Sequence, residues 1–188
     1  MHSHVRQPPR TTENATSTAA GVGVAVRAAR RDDAAAIAAI YNEGIRGRAS
    51  TFETRERSPA DVEAWFASDR YPILVAEGEG RVIGWTAASS YRARECYSGV
   101  AEFSVYVDSR ERGRRVGDAL LRELLAALER AGFWKALSRV FPENAASRAL
   151  CRRHGFREVG VYEKHGRLDG MWRDVIIVER LLGEALRP

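Results

Sequence analysis

The sequence predicts a single α/β domain, with a mixed sheet flanked by helices. Runs rich in β-branched and aromatic residues alternate along the chain with segments whose apolar residues recur every three or four positions. The first pattern is typical of strands and the second of amphipathic helices. A chain of 188 residues is long enough to bury one hydrophobic core, and it contains no internal repeat. We therefore predict one domain over residues 24–188.

The N-terminal part of the chain predicts a tail, a strand and two helices. Residues 1–23 are rich in Ser, Thr, Pro, Gly and Ala without periodicity, which predicts a disordered tail. A strand is predicted at residues 24–27, and two aspartates then precede the apolar stripe of a first helix. After a loop at residues 46–54, Ser58 and Pro59 supply a cap and a first-turn proline for a second helix.

The middle of the chain predicts a hairpin and then the central strand. Residues 72–77 and 81–89 are strand-like and flank a glycine-rich turn, which favours an antiparallel pair. A polar loop at residues 91–98 follows. Residues 103–107, with the sequence Phe-Ser-Val-Tyr-Val, predict the central strand.

A long amphipathic helix is predicted after the central strand, and Gly132 suits a left-handed stop at its end. Its apolar residues recur at spacings of three and four: Val116, Leu120, Leu124, Ala127, Leu128 and Ala131. The elements predicted beyond it are a strand at 135–141, a helix at 145–154, and strands at 157–164 and 172–180, with Gly166 and Gly170 in the loop that joins the last two.

The turn between the central strand and the long helix is strongly basic. It carries Arg110, Arg112, Arg114 and Arg115. The first N–H groups of a helix have no partner within the helix, and together with the helix dipole they attract anions. We predict a phosphate-bearing ligand at residues 112–117, with a solvated basic loop as the alternative.

Composition and residue spacing argue against nucleic-acid binding, a metal site and a membrane span. A net charge of +5 with scattered arginines favours a small anionic ligand over nucleic acid. Cys96 and Cys151 form no CxxC and no HExxH is present, so no metal site is predicted. The longest apolar runs fall short of the roughly 20 residues of a membrane span, and we expect a cytoplasmic protein without membrane or nucleic-acid partners.

Two motifs resemble the GNAT superfamily of N-acetyltransferases. Residues 112–117 resemble its pyrophosphate loop, [QR]xxGx[GA], except that Arg115 replaces the inner glycine. The block from Asn144 to Phe156 resembles its Asn, short helix, Gly-Phe pattern. The resemblance implies the acyl-CoA N-acyltransferase fold, a mostly antiparallel sheet with a V-shaped splay between its central strands, and acetyl-CoA as co-substrate.

The run from residue 91 through 107, together with Gly-Met-Trp-Arg-Asp at 170–174, resembles a narrower group, the phosphinothricin-type N-acetyltransferases. This likeness covers about residues 26–180. It implies acetylation of the free α-amine of an amino-acid analogue such as phosphinothricin, arsinothricin or methionine sulfoximine, and a homodimer. The alternatives are an acetyltransferase for another small amine or a protein N-terminus, and an acetyl-CoA-binding sensor without catalysis.

The resemblance also implies site residues. Glu102 corresponds to the catalytic base, with an exposed strand-edge glutamate as the alternative. Cys151 occupies the position of the general acid, usually tyrosine or histidine, with a small buried packing residue as the alternative. The residues implied in cofactor binding are Val105, Tyr106, Val107, Arg112, Gly113, Arg114, Arg115, Val116, Gly117, Asn144 and Ser147.

The expected acceptor site combines cations and aromatic rings. Arg92 and Arg94 suit a carboxylate, phosphinate or arsinate, because guanidinium groups bind such oxyanions through two parallel hydrogen bonds. Tyr97 lies beyond them on the same loop, and Phe52 and Glu53 are expected to line the pocket near the side chain or the amine of the acceptor. Trp172 is expected to form a wall of the site or a dimer contact, with core packing as the alternative.

Overall fold

The computed structural model describes residues 24–186, so the tail predicted at residues 1–23 lies outside the described residues. The strands are β1 (Ala25–Ala28), β2 (Ile73–Gly78), β3 (Arg81–Ser90), β4 (Val100–Val107), β5 (Lys135–Val140), β6 (Arg157–Leu168) and β7 (Met171–Leu181). The helices are α1 (Ala34–Arg46), α2 (Pro59–Glu63), α3 (Val116–Arg130) and α4 (Ala145–Arg153). Short 3₁₀ turns lie at Arg31–Asp33, Ala64–Ala67, Glu95–Tyr97, Ser109–Glu111 and Gly183–Leu186.

The seven strands form one sheet in the order β1-β2-β3-β4-β5-β7-β6. Every neighbouring pair is antiparallel except β4 and β5, which run parallel. These two strands pair only from Val100 with Lys135 to Glu102 with Leu137. Beyond Glu102 they separate, which leaves the outer half of β4 without a partner on that side. The V-shaped splay and the mixed α/β fold class are therefore confirmed.

Helices cover both faces of the sheet. The apolar stripe predicted for α3 is buried, and Leu124 and Leu128 pack in the main core beside Phe103 and Phe156. Burial of each such side chain contributes roughly 1.5–3 kcal/mol. On the opposite face, α1 and α2 pack around Trp85 in a second cluster. Among the described residues, no helix combines the length and the apolar character needed to cross a membrane.

Local stop and start signals are confirmed at two helices. Gly132 follows α3 with φ of 79°, in the left-handed region that glycine adopts without a steric penalty. Ser58 caps α2, because its hydroxyl accepts from the backbone N–H of Asp61 at 3.2 Å. The Asp61 carboxylate accepts in return from the Ser58 N–H at 2.8 Å, which completes a capping box.

The C-terminal hairpin is longer than predicted, and the placement of Gly166 in a loop is wrong. Gly166 lies within β6 and pairs with Arg173 of β7, while the connecting turn consists of Asp169 and Gly170. Both turn residues have positive φ, as a tight hairpin turn requires. A Cβ at Gly166 would lie 2.7 Å from a ring carbon of Phe52, so the glycine lets that ring lie against the strand.

Candidate active site

A cleft of about 840 Å³ opens where β4 has left β5. Its walls are the outer half of β4, the turn that leads into α3, the first residues of α3, the end of α1 and most of α4. All residues predicted to bind the cofactor line this cleft except Arg114: Val105, Tyr106, Val107, Arg112, Gly113, Arg115, Val116, Gly117, Asn144 and Ser147.

The turn at one end of the cleft enters α3 through a left-handed residue. Arg115 precedes Val116 with φ of 61° and ψ of 17°. This is the residue that stands where the related loop has its inner glycine, so the backbone keeps a conformation that glycine adopts easily. A side chain in this region costs roughly 1–2 kcal/mol. The substitution therefore adds a cation to the cleft at the expense of backbone strain.

Two buried carboxylates hold the turn in shape. Asp108 accepts from Arg110 at 2.7 Å and from Arg81 of β3 at 2.9 Å. Glu111 accepts from Arg114 at 2.7 Å and also from Arg81. The hydrogen bonds of Arg110, followed by those of Arg81, hold the pKa of Asp108 well below its usual range. Arg110 and Arg114 therefore neutralise carboxylates of the turn itself, and Arg81 fastens the turn to the sheet.

Arg112 and Arg115 are the cations of the turn that line the cleft. Within residues 24–186 neither guanidinium forms an ion pair. They stand beside the first N–H groups of α3, where the helix dipole is positive. Gly113, with φ of 78°, has open space where a side chain would begin. This end of the cleft is therefore suited to an anionic group.

Asn144 joins α4 to the loop after α1. Its side-chain oxygen accepts from the N–H of Ser147 at 3.1 Å, so it is a helix cap as well as a cleft residue. Its side-chain nitrogen donates to the carbonyl of Ala49 at 3.3 Å. On the other side of α4, a Cβ at Gly117 would lie 3.3 Å from Leu150, which shows how closely α3 and α4 approach each other.

A second, much smaller chamber of about 60 Å³ occupies the splay between β4 and β5. The hydroxyl of Ser138 on β5 donates to the carbonyl of Phe103 at 2.8 Å, just beyond the last strand pair. Cys151 lines this chamber with 4% of its surface exposed, and burial raises the pKa of its thiol to about 11. The thiol is therefore protonated at neutral pH, but it is a weaker acid than an ordinary thiol near 8.5.

Glu102 lies at the point where the two strands part, and its side chain is 21% exposed. Arg139 of β5 reaches back across the splay to it. The Arg139 Nε donates to Oε1 at 2.8 Å, and Nη2 contacts both carboxylate oxygens. The glutamate is thus part of an ion pair at the mouth of the small chamber. Arg139 is absent from the residues that the sequence predicts, because a partner 37 residues away follows no local pattern.

Tyr106 turns its side chain away from the cleft end and into an aromatic cluster. Its ring stacks on Trp85 at a centroid distance of 4.8 Å and packs against Tyr41 at 4.9 Å. Burial raises the pKa of its hydroxyl. A Cβ at Gly44 would lie 2.6 Å from this ring, so α1 approaches closely only because that residue is glycine. The ring belongs to the aromatic cluster, and Tyr106 also lines the cleft.

Phe52 and Glu53 lie on the loop between α1 and α2. The Phe52 ring meets Phe141 edge-on at 4.9 Å, on the face of the sheet that also bears Ile177. Glu53 forms an ion pair with Arg57 at 2.6 Å. This loop also lines the cleft at Ala49 and Ser50, so it links the large cleft with the face that carries the aromatic pair.

The basic loop between β3 and β4 lies at the same end of β4 as Glu102. Arg92 lies over the ring of Tyr91 at 5.2 Å, and Tyr97 meets the same ring edge-on at 5.6 Å. Arg94 precedes the short helical turn of this loop and is exposed. Arg92, Tyr91 and Tyr97 thus form one cluster on the loop before β4, and neither they nor Arg94 line the two cavities.

Trp172 is 52% exposed, so the core-packing alternative for it is wrong. It lies near the start of β7, beside the hairpin turn, and the guanidinium of Arg167 lies over its ring at 4.1 Å. An exposed tryptophan held by a cation is typical of a surface that contacts another molecule.

Comparisons with known proteins agree with this geometry. The sequence profile described as the acetyltransferase (GNAT) family matches residues 34–156. The phosphinothricin N-acetyltransferase of Alcaligenes faecalis is 36% identical over 164 residues, which cover 84% of this chain and 82% of that protein. The L-methionine sulfoximine/L-methionine sulfone acetyltransferase of Pseudomonas aeruginosa is 32% identical over 162 residues, covering 84% of this chain and 94% of that protein.

A solved structure is similar over the same region. The phosphinothricin acetyltransferase of Sinorhizobium meliloti, crystallised in complex with acetyl-CoA, aligns with a TM-score of 0.82 and 32% identity. The alignment covers 88% of this chain and 91% of that one.

Proposed function

The chain belongs to the acetyltransferase (GNAT) family of N-acetyltransferases, and from this premise we propose that it acetylates the free α-amine of an amino-acid analogue. The expected acceptors carry an anionic or sulfur-based tetrahedral group, as in phosphinothricin, arsinothricin and methionine sulfoximine. The observation that carries the proposal is the continuity of the site. The cationic end of the cleft lies at the start of α3, and the small chamber shares Val105 and Asn144 with the cleft. Arg139 of that chamber contacts the Glu102 carboxylate.

The residues of the cleft would hold acetyl-CoA along β4. Arg112, Arg115 and the first N–H groups of α3 would take the diphosphate. The outer half of β4 and the Asn144 side chain would follow the pantetheine arm as hydrogen-bonding partners. When bound, the thioester supplies the activated acetyl group.

Glu102 is assigned the role of general base. An ammonium group must lose a proton before it can attack a carbonyl carbon, and a carboxylate within hydrogen-bond reach, or one water away, can accept that proton. Backbone N–H groups around Val105 and Tyr106 would stabilise the negative charge that develops on the thioester oxygen. These groups are fixed by the sheet, so they need little reorganisation during the reaction.

Cys151 is the residue predicted to protonate the departing sulfur. Its burial keeps the thiol protonated but makes it a weak donor, and its contacts are those of a core residue. The proposal therefore rests on Glu102 and the backbone donors and does not depend on Cys151.

Arg92 and Arg94 are assigned to the distal anion of the acceptor. They lie on the loop that leads into β4, at the Glu102 end of the strand. Two guanidinium groups on one loop would favour a phosphinate or arsinate over a neutral side chain.

A homodimer is the expected assembly, and the C-terminal hairpin supports it. β6 is the edge strand of the sheet, and it exposes Val159, Val161 and Tyr162. Met171 and Trp172 of β7 are exposed beside it. An unpaired edge with exposed apolar side chains is a surface that proteins ordinarily cover. Light scattering of the purified protein tests this: a monomer at micromolar concentration would contradict the assignment.

The proposed activity is tested with a panel of acceptors and acetyl-CoA, read by thiol release and by the mass of the product. The proposal expects one acetyl group on the α-amine of phosphinothricin, arsinothricin or methionine sulfoximine. Turnover only with other small amines or with peptide N-termini would favour the alternative acceptors. Tight binding of acetyl-CoA without turnover on any amine would favour a sensor.

A further inference from the structure

The ion pair between Glu102 and Arg139 joins β4 and β5 at the point where the two strands part. Arg139 lies two residues beyond Leu137, the register partner of Glu102, so both side chains point to the same face of the sheet. Arg139 contacts both carboxylate oxygens and also lines the small chamber. Its side chain is 44% exposed, so a ligand can reach it without unfolding the site.

The other cations on this face of β5 and β7 have partners of their own. Lys135 pairs with Glu179 at 2.8 Å, and Arg173 pairs with Glu143 at 2.6 Å. Arg139 differs from them, because its partner within the described residues is the carboxylate assigned as the base. A cationic group that binds Glu102 therefore takes the ion-pair partner of Arg139.

An α-amino acid is complementary to this pair in charge. Its ammonium and carboxylate groups stand on one carbon, just as the carboxylate and guanidinium of the pair stand in contact. The ammonium is complementary to Glu102 and the carboxylate to Arg139. Exchange of the internal ion pair for these two leaves no charge without a partner. An amine that lacks the carboxylate would occupy Glu102 and leave the Arg139 charge unpaired, which is unfavourable in a partly desolvated site.

We propose that Arg139 is a specificity-determining residue that binds the α-carboxylate of the acceptor and, in doing so, releases Glu102 to receive the proton of the α-ammonium group. The inference rests on the proposed function and adds to it: Arg92 and Arg94 take the distal anion, and Arg139 takes the proximal one. The proton moves from the ammonium nitrogen to a Glu102 oxygen, and the neutral amine keeps its lone pair for attack. The enzyme is thereby selective for zwitterionic acceptors over simple amines.

The test compares methionine sulfoximine with its α-carboxamide in the wild-type enzyme and in Arg139→Gln. The two acceptors differ only in the α-carboxylate. We expect the variant to raise KM for the carboxylate acceptor by about 10- to 100-fold, the range of a lost charge-assisted pair. The KM for the carboxamide should change by less than about threefold, and the Kd of acetyl-CoA should stay the same. Arg139→Lys, which keeps the charge, should recover part of the discrimination.

Arg122→Gln is the matched control, because it removes an exposed ion-paired arginine on α3 that lines neither cavity. Arg122→Gln should leave KM for both acceptors unchanged. If Arg139→Gln raises KM equally for both acceptors, or for neither, the inference is overturned while the proposed function stays intact. A wild-type enzyme that binds acetyl-CoA but acetylates none of phosphinothricin, arsinothricin and methionine sulfoximine overturns the proposed function and the inference together.

Discussion

Arg115 gives a test of the backbone conformation at the pyrophosphate end of the site. Its φ of 61° places an arginine where most side chains are strained. We expect Arg115→Gly to be more stable than Arg115→Ala, because both variants remove the guanidinium and only glycine relieves the strain. This order is the reverse of that in a helix interior, where glycine is less stable than alanine by about 1 kcal/mol.

The magnitude follows from the dihedral angles. A left-handed residue with a Cβ costs roughly 1–2 kcal/mol. Part of this advantage is lost, because the greater conformational entropy of glycine stabilises the unfolded chain by roughly 0.5–1 kcal/mol. The net advantage of Arg115→Gly over Arg115→Ala is therefore about 1 kcal/mol, which corresponds to about 2–4 °C in Tm for a domain of this size. Gly113 has φ of 78° and open space around it, so Gly113→Ala should lower the free energy of unfolding by a similar amount.

Urea unfolding of the three variants and the parent measures these differences, and calorimetry with acetyl-CoA measures the second effect of the substitution. Both Arg115 variants should bind acetyl-CoA about tenfold more weakly, the loss of one charge-assisted contact. If Arg115→Ala is as stable as Arg115→Gly, the strained conformation is not present in solution. If both bind acetyl-CoA as well as the parent does, Arg115 does not touch the diphosphate.

Three further predictions concern the chemistry and the turn. Glu102→Gln should lower kcat/KM by about 10²-fold or more in a protein that folds normally, and a loss under threefold would remove Glu102 from the role of base. Cys151→Ala should leave turnover within about threefold and cost roughly 1–2 kcal/mol of stability in urea unfolding, whereas a 10²-fold loss of kcat would make it the proton donor. The lowered pKa of Asp108 contributes stability above the unfolded value near 3.9, and this contribution is lost as the pH falls through the folded value. Asp108→Asn should therefore destabilise at pH 7 and flatten the decline of Tm below about pH 4; a decline as steep as in the parent would show that other carboxylates dominate.

Local sequence patterns predict much of this fold. The stripe of α3 and its stop at Gly132 follow from spacing and from one left-handed glycine, both short-range properties. The C-terminal hairpin does not, because Gly166 resembles a turn residue in isolation. Its place in β6 is decided by pairing with Arg173 and by the Phe52 ring, which comes from a loop more than 100 residues earlier in the chain.

The candidate site shows the same division. The position of the cleft was predictable, because the strand, the basic turn and the helix are consecutive in sequence. The partners of the charged groups were not. The sequence predicts Arg112, Arg114 and Arg115 at the phosphate-bearing ligand, but Arg114 is engaged by Glu111, as Arg110 is by Asp108. The contact of Arg139 with the predicted base depends on where two strands part.

The central claim is that the cleft beside α3 holds acetyl-CoA with its diphosphate on Arg112, Arg115 and the helix N-terminus. Calorimetric titration of the purified protein with acetyl-CoA, at low and at raised salt, tests this most directly. The account predicts one site per chain, an affinity that falls with salt, and a loss of about tenfold in Arg112→Ala. Absence of binding, or binding that neither salt nor Arg112→Ala weakens, would contradict it.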